Sequence, residues 1–155
     1  MSNALQTSAL LTAINAAIQT AAQTFLSTSA PNPILIFNEQ PRTEVETLPY
    51  AIAEPEVVHI DMAGRAGTVA GISQENRFRI IVRQRFPTDP SQLLLNLKLA
   101  AANALIANLQ NGPGFAGIAM LPLVSDVTFA ETDSFSTKVF EVELAFTCVT
   151  IGTHH

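Results

Sequence analysis

Between positions 3 and 26 apolar residues recur at intervals of three and four: Leu11, Ile14, Ile18, Ala21, Ala22 and Phe25. That period puts them on one side of an α-helix. Ser8, Thr12, Asn15, Gln19 and Gln23 form an uncharged polar stripe opposite. Asn3 and Gln6 have the spacing of a capping box, and the two prolines of "STSAPNP" end the helix. The period then changes. "ILIF" (34–37) reads as a short buried strand, and 39–47 as a polar loop or edge excursion. "LPYAIAE" (48–54) alternates, with Leu48, Tyr50 and Ile52 on one face. Pro49 marks a sheet edge or a strand start, and "VVHID" (57–61) can carry the strand past Pro55. The stretch "MAGRAGTVAGISQE" (62–75) holds three of the seven glycines and has no strong period. It is expected to be a mobile loop or a loose hairpin arm, since long unstructured segments in compact domains are mostly functional or disordered.

Strict alternation returns in "NRFRIIVRQRF" (76–86). Phe78, Ile80, Val82, Gln84 and Phe86 share one face, while Arg77, Arg79, Arg83 and Arg85 share the other. "PTDPSQ" predicts a helix start, with Asp89 as N-cap, Pro90 in the first turn and Gln92 closing a capping box. Leu95, Leu99, Ala102, Ile106 and Leu109 give that helix its apolar stripe, Asn96, Asn103 and Gln110 lie opposite, and "NGPG" (111–114) ends it. Two strands follow, at roughly 120–130 and 137–150, joined by a turn at "ETDS" (131–134). In the last strand Phe140, Val142, Leu144, Phe146 and Cys148 share one face, and Glu141 and Glu143 the other.

The order α-β-β-β-α-β-β predicts an α+β domain: a mostly antiparallel sheet with two helices packed on one face, and a long arm at 62–75. A single domain is expected over 1–152, with 153–155 a tail whose His154 and His155 can be a tag remnant. Composition adds a second theme. Hydrophobic residues make up 48% of the 155 positions and charged residues only 14%, against roughly 25% charged in ordinary soluble domains. No charged side chain occurs before Glu39 or from Leu99 to Ser125. Surface this poor in charge points to burial against other subunits. The net charge of −5 argues against a dedicated nucleic-acid binder. No basic segment precedes the first apolar residues, so no signal peptide is expected, and no apolar run is long enough to span a membrane.

Candidate chemistry is sparse. His59 and Asp61 sit on one strand face, but a metal site needs about three or four ligands, and a histidine satisfied by its neighbours is the simpler reading. Cys148, the single cysteine, falls on an apolar face and reads as core rather than nucleophile. "GRAGTVAG" lacks the lysine-and-hydroxyl ending of a phosphate-binding loop. Neither a cofactor nor a metal is implied. The arginine stripe holds half of the eight basic residues. Its first reading is a ladder with Glu141 and Glu143, in which Arg79 and Arg83 lie across from the two acids. Two acids cannot match four arginines, so the remaining charge is expected to meet a neighbouring subunit. An outside acidic partner ranks second and DNA third, because the aromatics Phe78 and Phe86 face away from the arginines.

The pieces "ALLTAINAAIQTAAQTF", "LPYAIAEPE", "FRIIVRQRFPTDPSQLLLNLKLAAANALIANL" and "VTFAETDSFSTKVFEVELAFTCV" resemble, in order and texture across nearly the whole chain, the tail terminator or tail completion proteins of long-tailed bacteriophages. The resemblance implies a structural, non-enzymatic virion protein of the tail–neck region, assembled in the bacterial host cytoplasm. It implies a ring of six copies that caps the tail tube, stops its polymerisation and offers a docking face to the head–neck connector. Its partners would be itself, the tail tube protein and the head-closure protein. Genomic DNA would be only passing cargo, and no membrane is involved. Arg65, in the arm, joins Arg77, Arg79, Arg83, Arg85, Glu141 and Glu143 as candidate interface residues. A head-closure or other neck or tube subunit is the nearest alternative. A small bacterial enzyme or ligand-binding domain is the alternative from another class.

Overall fold

The structure, a computed structural model, describes residues 7–26, 34–43, 45, 47–63, 70–111, 120–134 and 136–154. Helix α1 (Thr7–Phe25) leads to the short strand β1 (Leu35–Phe37), then β2 (Tyr50–Ala63) and β3 (Ala70–Arg85). Helix α2 (Leu94–Asn111) follows, and β4 (Met120–Ser134) and β5 (Thr137–His154) close the chain. The five strands form one sheet in the order β1-β2-β3-β5-β4. β1 runs parallel to β2, and every other pairing is antiparallel. This is the α+β class and element order expected from the alternation of periods.

Parity decides which side of the sheet is covered. Phe78, Ile80 and Val82 of β3, with Phe140, Val142, Leu144, Phe146 and Cys148 of β5, are buried beneath the helices. α1 contributes Leu10, Ile14, Ile18, Ala21, Ala22 and Phe25 to the same core, and α2 contributes Ala101, Ala102, Leu105 and Leu109. Both helices lie on this one face. They pack mainly on each other, with α1 over β2 and α2 over β4 and β5. The opposite face has a smaller apolar patch, where Phe37, Val45 and Leu48 pack on Tyr50, Ile52 and Ile81. The segment linking β1 to β2 thus folds over part of the open face. It is held there by the Gln40 amide donating to Glu54 Oε2 at 2.9 Å.

Several local expectations are corrected. Of the two readings of 62–75, residues 62–63 and 70–75 form the hairpin arm as regular strand and not a loop: Met62 pairs with Ile72 and Ala63 with Gly71. β5 runs beside them, Thr153 opposite Gly71 and His154 opposite Ala70. Residues 153 and 154 are therefore strand as well, not tail. A backbone ladder needs no hydrophobic period, which is why the pattern missed it. The tip at 64–69, with Arg65, and the Asn3–Gln6 box lie outside the described residues. β2 does cross Pro55, with a register shift between Pro55 and Val57, as a proline in a strand requires. The turn between β4 and β5 is not "ETDS": Glu131, Thr132 and Asp133 pair with Phe140, Val139 and Lys138, and Ser134 pairs with Thr137. Ser136, with φ 61°, takes the left-handed conformation that so tight a connection needs.

The start of α2 also differs. Asp89 accepts hydrogen bonds from the Ser91 amide at 2.9 Å and the Ser91 hydroxyl at 2.8 Å, and the Gln92 amide donates to the Asp89 carbonyl. This builds a separate turn. The first helical bond runs from the Leu97 amide to the Leu93 carbonyl, so Leu93 occupies the N-cap position. The apolar stripe expected of α2 is partly misassigned as well. Leu95 and Leu99 are exposed, because the true buried arc is centred on Ala101, Ala102 and Leu105.

Candidate functional site

The arginine stripe lies on the open face, along the middle strand of the sheet. Each arginine looks sideways to acids on the flanking strands. Arg83 stands opposite Glu141 in the β3–β5 register, and its Nε donates to Glu141 Oε2 at 2.7 Å. Its Nη1 donates to the Tyr50 hydroxyl at 2.6 Å, and the guanidinium carbon lies 5.7 Å from the Tyr50 ring centre. Tyr50 is itself fixed by an edge-to-face contact with Phe37. Burial alone would lower the Arg83 pKa, but the hydrogen bonds and attraction from Glu141 and Tyr50 outweigh it, and the group sits above its usual value. Arg83 is therefore a fixed positive charge, unable to act as an acid or base.

One step along, Arg79 Nε donates to Glu143 Oε1 at 2.5 Å, and Arg79 Nη1 lies 3.9 Å from Glu54 Oε1 on β2. Arg77 Nε donates to Glu56 Oε2 at 3.0 Å, and its Nη2 reaches Asp126 Oδ2 of β4 at 3.3 Å. Asp126 sits in the register shift between Ser125 and Thr128 with φ 54°. A bulge re-aims a side chain, and here the aspartate reaches past β5 to the arginine. The expected placement of Arg79 and Arg83 across from Glu143 and Glu141 therefore holds.

The expected surplus of positive charge is smaller than the two acids of β5 implied. Sequence reasoning counted only the two acids of β5 and missed Glu54, Glu56 and Asp126. Arg77, Arg79 and Arg83 now face five acids, so the free positive charge narrows to Arg85. Arg85 is exposed at the end of β3, opposite Val139, and makes no ion pair among the described residues. A small hollow of about 90 Å³ between Glu56, Arg77, Arg79, Asp126 and Glu143 has room for a few waters at most.

The remaining candidates fall elsewhere. Cys148 is buried on the helix-covered face, and desolvation pushes its thiol up to about 11. Next to it in the ladder, Asn76 is buried and donates to the Cys148 carbonyl, the Gln74 carbonyl and the Thr150 hydroxyl. This polar cluster was not foreseen, although Gln74 and Asn76 stand at even positions continuous with the core stripe. His59 and Asp61 are opposite Glu75 and Ser73 in the ladder. Among the described residues no group of three or more histidine, cysteine or carboxylate side chains could hold a metal ion, and no helix is long and apolar enough to cross a membrane.

The outer surface of the helix layer is chemically unlike the open sheet face. α1 carries no charged residue. α2 carries one, Lys98, whose side chain is largely covered and paired with Glu131 at 2.6 Å. Leu93, Leu95 and Leu99 project from the start of α2 with 64%, 60% and 43% exposure. Across the layer, α1 and β1 border an open groove of about 600 Å³ lined by Asn15, Ala16, Gln19, Ile34, Leu35 and Ile36. Gln19 ties the two elements together, donating to the Ile34 carbonyl at 2.8 Å.

No protein-family model matches this chain, and no curated protein matches it. Among solved structures, it is similar to a chain from the virion of a native gene transfer agent particle, with 13% identity over 94% of this chain and 95% of that one, at a TM-score of 0.46. A likeness of that size carries no argument about role.

Proposed function

We propose that this chain is a structural subunit of a phage-type virion. In this reading copies of it form a ring that caps the tail tube, stops its polymerisation and presents a docking surface to the head–neck connector. The observation that carries the reading is the helix layer: two helices of 19 and 18 residues whose only charge is the largely covered Lys98. Such a surface is poorly solvated when bare and suits permanent contact with other subunits. The resemblance to tail terminator proteins in element order supports the same reading. Catalysis has no part in it: the ladder's arginines are held by acids, and the buried thiol is neutral at physiological pH. DNA passes through the ring as cargo, without a dedicated cationic surface to hold it.

The test is genetic. Disrupting this gene in the phage that carries it should yield tails of uncontrolled length that fail to join heads, as seen by electron microscopy. Tails of normal length left unjoined would instead indicate a head-closure role. Normal tails joined to heads would remove the structural assignment.

A further inference from the structure

The two charge-poor surfaces of the helix layer lie at opposite ends of the molecule. β1 and β4 are the two edges of the sheet. The α1–β1 groove is at one edge, and the leucines of α2, which packs against β4 and β5, are at the other. The α2 surface projects: Leu93, Leu95 and Leu99 stand out with Asn96 and Asn103 exposed among them. Phe129, on the helix side of β4 opposite Val142, is also exposed. The α1–β1 surface is recessed, with apolar walls from Ile34, Leu35 and Ile36 and amides from Asn15 and Gln19.

We propose that the α2 leucine surface of one copy seats in the α1–β1 groove of a second copy, a head-to-tail contact repeated around a closed assembly. This rests on the reading of the chain as a self-assembling structural subunit and gives that reading its contact. The occupant is a second copy because the two surfaces match in three respects. One projects where the other is recessed, the groove carries no charge while the α2 surface carries only the self-neutralised Lys98–Glu131 pair, and both flank their apolar residues with uncharged amides, Asn96 and Asn103 on one and Asn15 and Gln19 on the other. The chain's net charge of −5 repels copies at long range, but almost none of that charge lies on these two surfaces. A back-to-back α2–α2 dimer would cover the leucines yet leave the groove empty. Surfaces at opposite edges instead generate a heterologous contact that repeats and can close. Two contacts of standard size, about 800 Å² of each partner, would remove roughly a fifth of the 8844 Å² surface.

The experiment uses the full chain and two variants, Leu95→Glu/Leu99→Glu on α2 and Ala16→Arg in the groove. All the changed positions are exposed, and unchanged far-UV circular dichroism and melting confirm folding. Native mass spectrometry and light scattering across a concentration series should show the parent chain assembling, and each variant monomeric at concentrations at least tenfold beyond the parent's midpoint. Mixed one to one, the two variants should form a heterodimer and nothing larger, because each retains one intact surface. A parent chain that stays monomeric to its solubility limit overturns the proposal. So does an Ala16→Arg variant that assembles normally, or a mixture that forms no heterodimer. A self-associating chain with no tail phenotype on gene disruption would keep this contact and discard the virion role.

Discussion

The two faces of β3 differ by one residue in phase and in almost everything else. Phe78, Ile80 and Val82 point to the helices and are almost fully buried. Arg77, Arg79 and Arg83 point the other way and remain partly open to water, held by acids from three neighbouring strands. The first set contributes more to stability than the second, because its side chains are removed from water almost completely. The second set contributes mainly to register. Only in the observed pairing does Arg83 meet both Glu141 and Tyr50, and only there does Arg79 lie between Glu54 and Glu143. A slip of one residue would drive three guanidinium groups into the apolar core. One strand thus separates the two tasks by parity: burial on even positions, alignment on odd ones.

The sharpest way to break this comparison is to remove one residue from each face. Phe78→Ala should destabilise the fold by about 3–5 kcal/mol, the range for truncating a buried aromatic, read as a shift in denaturant midpoint. On the other face, a double-mutant cycle of Arg83→Met and Glu141→Gln should give a coupling of about 1–2 kcal/mol, between the values for exposed pairs and for charged hydrogen bonds. The Glu141 side chain is only 16% exposed and that of Arg83 31%, which places the pair between those limits. The Arg77–Asp126 pair, with side chains 40% and 69% exposed, should show no measurable coupling in the same cycle. A coupling there as large as that of Arg83–Glu141 would mean that position in the ladder, rather than burial, sets the energy.

The smallest effect concerns Cys148. Its thiol is raised from 9.0 to about 11 by burial. Since the folded pKa is the higher one, the buried thiol's contribution is intact below pH 9 and declines as pH rises from 9.0 towards about 11. At neutral pH an alkylating reagent should therefore modify Cys148 only as fast as the chain opens. Labelling followed by mass spectrometry should give a rate that rises with denaturant. Rapid labelling of the native chain would contradict the burial of β5's covered face.

α1 and α2 show where local pattern serves and where it fails. The stripe of α1 was legible because large aliphatic residues and small polar ones alternate with a clear helical period. In α2 the expected stripe held at Ala102 and Leu109 but failed at Leu95 and Leu99, because leucines at 94, 95, 97 and 99 crowd the first turns and blur the period. The choice came from α1 and β4, which cover the arc containing Ala101, Ala102 and Leu105 and leave Leu95 and Leu99 outside. Asp89 failed as a cap for a related reason. Its side chain found Ser91 two residues on, a local bond that competes with helix initiation. In the candidate site, Arg79, Arg83, Glu141 and Glu143 could be paired by parity, whereas Asp126 could not, because its position depends on a bulge.

By itself, the sequence determined the α+β order, the two helices, the covered faces of β3 and β5, and the opposition of arginines and glutamates. All of these follow from period and parity, which are local properties of the backbone. Only the tertiary structure decided the strand order, the extension of β2 to Ala63, of β3 back to Ala70 and of β5 to His154, the second set of acids on Arg77 and Arg79, and the surface left bare on α2. Each of these depends on which distant segment lies alongside, and hydrophobic pattern along one chain does not encode which neighbour supplies the backbone partner, the second carboxylate or the covering helix.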